Sequence, residues 1–115
     1  MAPPADGAAA LPPKYKKDFD QVVQFYELKQ HKQGVRVADQ ILKKFPNHGE
    51  TLSMKGLILS CMDRAAEAHE LAKAGLKNDV RSHVCWHVYG LIHRGERNYR
   101  EAQKCYRMAL KLDSG

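Results

Sequence analysis

The chain has 115 residues, 43% of them hydrophobic and 28% charged, with 19 Lys and Arg against 13 Asp and Glu for a formal net charge of +6. That is room for about one small domain with a modest core. No run of about 18 apolar residues occurs, so no segment reads as a membrane span, and the positive surface favours phosphate-rich partners without choosing among them.

In chain order, residues 1–13 are rich in Ala and Pro and carry no basic run at the start. Pro3, Pro4, Pro12 and Pro13 oppose helix, which predicts a disordered lead-in rather than a secretory leader. Phe19, Val22, Val23 and Tyr26 then recur three and four apart and predict a helix over 15–29. Val37, Ala38, Ile41, Leu42 and Phe45 predict its partner over 33–45, closed by Pro46. The same reading predicts helices over 49–62 and 64–76, with Asn78 and Asp79 as the turn, and over 81–94 and 98–112. Cys61, Cys85 and Cys105 are odd in number and set among helical apolar residues, which predicts reduced core thiols in a cytosolic or nuclear compartment.

Shifted by 34 residues, the chain matches itself: Gly56 falls on Gly90, Leu57 on Leu91, Ala68 on Ala102, Leu76 on Leu110 and Asp79 on Asp113. Trp86, Gly90, Ala102, Tyr106 and Ala109 stand at the landmarks of the tetratricopeptide repeat, whose unit is two helices. The unit before it is degenerate but keeps Gly56 and Ala68 at the helix crossing. The first keeps Gly34 and has Val22 where Gly belongs, as suits a terminal capping repeat. The expected architecture is all-α, a right-handed solenoid of three antiparallel helix pairs over 14–48, 49–82 and 83–115. In it Trp86 is expected between helices, and a groove is expected along Glu50, Ser53, Leu57, Val84, His87, Leu91 and Arg94.

Residues 49–62 and 78–91, above all His83-Val84-Cys85-Trp86-His87, are more specific than repeat landmarks. With Leu11-Pro12-Pro13-Lys14 and Lys104-Cys105-Tyr106-Arg107, they resemble the N-terminal end of the auxiliary subunit of the N-terminal acetyltransferase A complex, over roughly residues 11–113. The resemblance implies a non-catalytic scaffold that supports a separate catalytic subunit, mainly through later repeats, and tethers it to ribosomes. It further implies a cytoplasmic, ribosome-associated protein with room for a nuclear pool, no cofactor and no small-molecule substrate. On this reading the chain is a fragment of a longer array.

Read from the residues alone, enzymatic chemistry finds little support. His83 and His87 lie one helical turn apart, but Cys85 between them points about 200° away and cannot share an ion with both. No Gly-rich phosphate loop is present, and Cys61 and Cys105 are expected to be buried and inert. The cations say more. Lys14, Lys16, Lys17, Lys29, Lys32, Arg36, Lys43 and Lys44 stand against four acids, residues 45–90 balance five against five, and residues 91–112 hold six cations against two acids. Arg100, Lys104, Arg107 and Lys111 recur on one face of the last helix, opposite Ala102, Tyr106 and Ala109, which reads as a solvated helix face or, more sharply, as a surface for phosphates; the resemblance implies those of ribosomal RNA. The alternative is a generic repeat adaptor that grips a peptide or partner helix in its groove.

Overall fold

The computed structural model describes residues 9–114, the last by its backbone alone. The first eight residues of the expected disordered lead-in lie outside that range. Six helices follow, α1 (Pro13–Glu27), α2 (His31–Lys44), α3 (Gly49–Cys61), α4 (Ala65–Asn78), α5 (His83–Gly95) and α6 (Tyr99–Ser114), with no strand among the described residues.

Local chemistry sets the helix ends. Pro13 opens α1, two residues before the apolar pattern does, because the first helical position needs no N–H and suits the fixed φ of proline. At α3 the imidazole of His48 is the N-cap: its Nδ1 accepts from the Thr51 backbone N–H at 3.3 Å and lies 2.7 Å from the Thr51 hydroxyl. Ser82 caps α5, accepting from the Cys85 N–H at 3.2 Å while donating to Glu50 Oε2 at 2.6 Å, which ties the third helix pair to α3.

The turns inside the three pairs are the same turn. Lys29, Asp63 and Arg97, spaced by the repeat, all have left-handed backbone, with φ of 60°, 61° and 64°. Around each the chain makes the paired closure of a Schellman motif: Gln30, Arg64 and Asn98 donate back to the carbonyls of Phe25, Leu59 and His93 at 2.8, 3.1 and 2.8 Å. Glycine is the usual residue there, so nothing but the repeat register marked these positions in the sequence.

Helices pair as α1 with α2, α3 with α4 and α5 with α6; α3 also packs on α1 and α2, and α5 on α3 and α4. Among the described residues, α2, α4 and α6 do not approach one another and form the outer row. At the centre lies α3, which buries nine of its 13 residues and is apolar nearly all round, as a helix enclosed by neighbours must be. The core joins Val22 of α1, Ala38 and Ile41 of α2, Ile58 and Leu59 of α3, Ala68 and Ala72 of α4, and Val88 and Ile92 of α5.

Candidate nucleic-acid interface

The structural landmarks show how the scaffold holds its surfaces apart. A Cβ on Gly56 would stand 2.9 Å from the Ala68 carbonyl, so α3 and α4 cross backbone to backbone. Gly75, which the landmark pattern did not single out, is tighter still: its Cβ would overlap the Ser53 hydroxyl and lie 2.6 Å from the Gly49 carbonyl. Gly34 faces Ile58, and Gly90 faces the Tyr106 ring, whose buried hydroxyl has no hydrogen-bond partner among the described residues. Ala68, Ala102 and Ala109 are buried at these crossings.

Trp86 corrects an expectation. It is only partly buried, and the core position beside it belongs to Cys85, which is wholly buried. The indole Nε1–H donates to the Val80 carbonyl at 2.7 Å, so the ring braces the turn before α5 instead of wedging two helices apart. Cys61 is likewise exposed, whereas Cys85 and Cys105 are buried. Burial pushes the Cys85 thiol up to about 11, and Cys105 moves in the same direction for the same reason. His83 faces Asp113 at 3.7 Å, and no three metal-binding side chains gather among the described residues.

The expected groove is closed at its middle. Ser53 and Leu57 are 0% and 7% exposed, Ser53 because it packs against Gly75 of α4 and Leu57 because it joins the core. What opens is a hollow of about 530 Å³ at the last pair, lined by His83, Val84, His87, Leu91, Arg94 and Tyr106 among others.

The twelve candidate cations divide by geometry. Tyr15 packs edge-on against Phe45, ring centroids 5.2 Å apart, and so brings the start of α1 to the end of α2. Lys14, whose ammonium lies 5.1 Å over the Tyr15 ring, and Lys17 thus share one end of the first pair with Lys43 and Lys44. Lys29, Lys32 and Arg36 lie toward the opposite end, at and beyond the α1–α2 turn. Lys16 parts from both groups: it lines a separate hollow with Phe19, Asp20, His48, Glu50 and Asp79, where carboxylates oppose it. On α6, Arg100, Lys104, Arg107 and Lys111 are all exposed on one face, and Lys104 meets Glu101 at 3.3 Å. Exposed cations of this kind can track phosphates.

Helix pairs of this length, closed by one recurring turn and crossing at small residues, define a tetratricopeptide-type scaffold. The Sgt2 TPR domain from Aspergillus fumigatus shares that fold, with a TM-score of 0.75 over 98% of this chain and 74% of that one at 18% identity. No protein-family model matches the chain. Its sequence places it more narrowly. It is 63% identical over 105 residues to the N-terminal acetyltransferase A complex auxiliary subunit NAA15 of Arabidopsis thaliana, covering 91% of this chain and 12% of that protein. It is 54% identical over 105 residues to the human N-alpha-acetyltransferase 16, NatA auxiliary subunit, covering 90% and 12%. In a structure of Naa15/Naa10 bound to HypK-THB, one chain superposes with a TM-score of 0.86 at 48% identity, over 88% of this chain and 15% of that one. The chain belongs to the NatA auxiliary-subunit family and spans about 12% of the length of these curated relatives.

Proposed function

We propose that this chain is part of the scaffold subunit of an N-terminal acetyltransferase A-type complex, with no catalytic role of its own. Its exposed cations would help hold the complex on the ribosome in the cytoplasm. The observation that carries this reading is identity of 63% along nearly the whole chain to a protein named as an auxiliary subunit, joined to a TM-score of 0.86 against a chain of the Naa15/Naa10 structure. The catalytic partner would be held mainly by other parts of the full-length scaffold. The charges of this segment are arranged as a tether needs, on exposed ends and an outer helix face.

The test is co-sedimentation with ribosomes at low and raised salt. Reversing Lys14, Lys17, Lys32 and Arg36 to Glu is expected to abolish pelleting at low salt, while the wild type is released as salt rises. Pelleting that survives the reversal, or ignores salt, overturns the tether. Deleting the segment from the full-length scaffold is expected to leave the catalytic subunit bound. The adaptor reading rests on one feature, the hollow that His87 and Arg94 line. It predicts loss of an acidic peptide on mutating those two and no response to reversal on α1 and α2.

A further inference from the structure

The outer row of helices joins the two basic clusters that the sequence shows as separate. Lys43, Lys77 and Lys111 occupy one register position, 34 residues apart, in the last turns of α2, α4 and α6. One helical turn earlier, Lys73 and Arg107 form a second rung on α4 and α6, and all five side chains are exposed. Asp39 holds the place of Lys73 on α2, but Lys55 reaches it at 2.7 Å and neutralises it; Arg64 does the same for Glu67 at 2.7 Å. Neither Lys73 nor Lys77 has an ion-pair partner among the described residues. The middle repeat is neutral in count, yet its acids are partly bound up while its outer lysines stand in line with those of its neighbours.

From this alignment we infer that Lys73 and Lys77 bridge the two clusters into one continuous track for the phosphates of double-helical RNA. The inference deepens the ribosome tether and rests on it. Duplex rather than single-stranded RNA follows from what the face lacks. Single strands are gripped by stacking bases on aromatic rings, and the nearest exposed ring on these helices, Tyr99, opens α6 about 18 Å along the axis from Lys111. Rungs fixed on helices that do not touch one another present charge at rigid, separated points. That suits a double helix recognised by shape and backbone. A competing role exists: a cation in a last turn offsets the helix dipole. Lys77 fits that role, but Lys73, a turn earlier on α4, gains little from it.

The experiment is fluorescence anisotropy of the chain with a 20-base-pair RNA duplex and with a single strand of the same length, across a salt series, alongside thermal unfolding. Lys73→Gln with Lys77→Gln is expected to weaken duplex binding about tenfold near 0.1 M salt and to flatten the log-log salt slope by about 2, with the unfolding midpoint unchanged. An unchanged slope overturns the track, whether or not the midpoint falls; a fall alone assigns the lysines to helix stability. Tighter binding of the single strand, or binding of an acidic peptide in place of RNA, also overturns it. If the double variant leaves RNA binding intact while reversal on α1 and α2 still abolishes ribosome pelleting, the bridge fails and the tether stands. If the chain binds duplex through Lys73 and Lys77 but never pellets with ribosomes, the tether fails instead.

Discussion

The second and third helix pairs carry the same small-residue register and use it differently. In the second, Gly56 and Gly75 bring α3 and α4 together backbone to backbone, with carbonyls and amides in the path of any added Cβ. In the third, Gly90 makes room for a side chain, the Tyr106 ring, and α6 keeps an outer face of cations. Burial of nine of its 13 residues leaves α3 little surface to offer a partner. In the third pair, residues of α5 and α6 line a hollow, and the α6 cations are exposed. The comparison teaches that one repeat register can serve two ends, close backbone contact in one copy and room for a side chain in the next.

The largest effect that sharpens this contrast is expected at Gly75. Gly75→Ala should cost about 3 kcal/mol by urea unfolding, because neither the Gly49 carbonyl nor the Ser53 amide can move aside, even after about 1 kcal/mol of improved helix propensity. Gly90→Ala presses on a ring that can tilt and should cost about 1 kcal/mol or less. Equal costs would break the distinction between backbone and side-chain crossings.

Trp86→Ala comes next, at about 2 kcal/mol. A partly buried indole with one hydrogen bond to Val80 gives less than the 3 to 5 kcal/mol expected of a fully enclosed ring. A loss in that higher range would return Trp86 to the core.

The cap of α3 supplies a pH test. Burial lowers the pKa of His48 from its ordinary 6.5, partly opposed by Glu50. The depressed value means that the unfolded chain takes up the proton first. The contribution is therefore fully present above about pH 6.5 and is lost as the pH falls through the folded value. Protonation would remove the Nδ1 acceptor that holds the Thr51 N–H, worth about 1 kcal/mol as a helix cap. His48→Asn keeps an acceptor that does not titrate, and stability measured across this range should lose part of its acid dependence. A variant with the same acid limb as the wild type would show that the cap does not respond to protonation.

The smallest expected effect is a gain. Arg97→Gly relieves left-handed backbone in the third pair and should stabilise by up to about 1 kcal/mol, read as a higher denaturation midpoint. The same substitution at Asp63 should give a similar gain, since the turn is shared; a loss at either position would mean that its side chain does more than close the turn.

Much of this was legible in the residues. The apolar periodicity and the 34-residue shift marked six helices and their pairing, with ends displaced by one or two residues, as where Pro13 and the Ser82 cap act. The cations of α6 were placed on one exposed face because helical geometry alone does that. Other features were not legible. Lys16 and Lys17 are neighbours in sequence, yet one lies among carboxylates from α3 and the α4–α5 turn. Trp86 was expected between helices and is only partly buried, because the rotation of α5 against α3 and α4 turns the neighbouring Cys85 inward. Ser53 and Leu57 read as groove residues, yet packing encloses Ser53 against Gly75 of α4 and Leu57 in the core.

By itself, then, the sequence determined the elements, their order and the family, because periodicity, caps and repeat spacing act within one or two helical turns. Only the tertiary structure decided which repeat lies at the centre, which glycines bear backbone contacts, and that Lys73 and Lys77 complete a line between distant clusters. Those depend on distances between helices that are far apart in sequence, and such distances are set by packing, which no local pattern encodes.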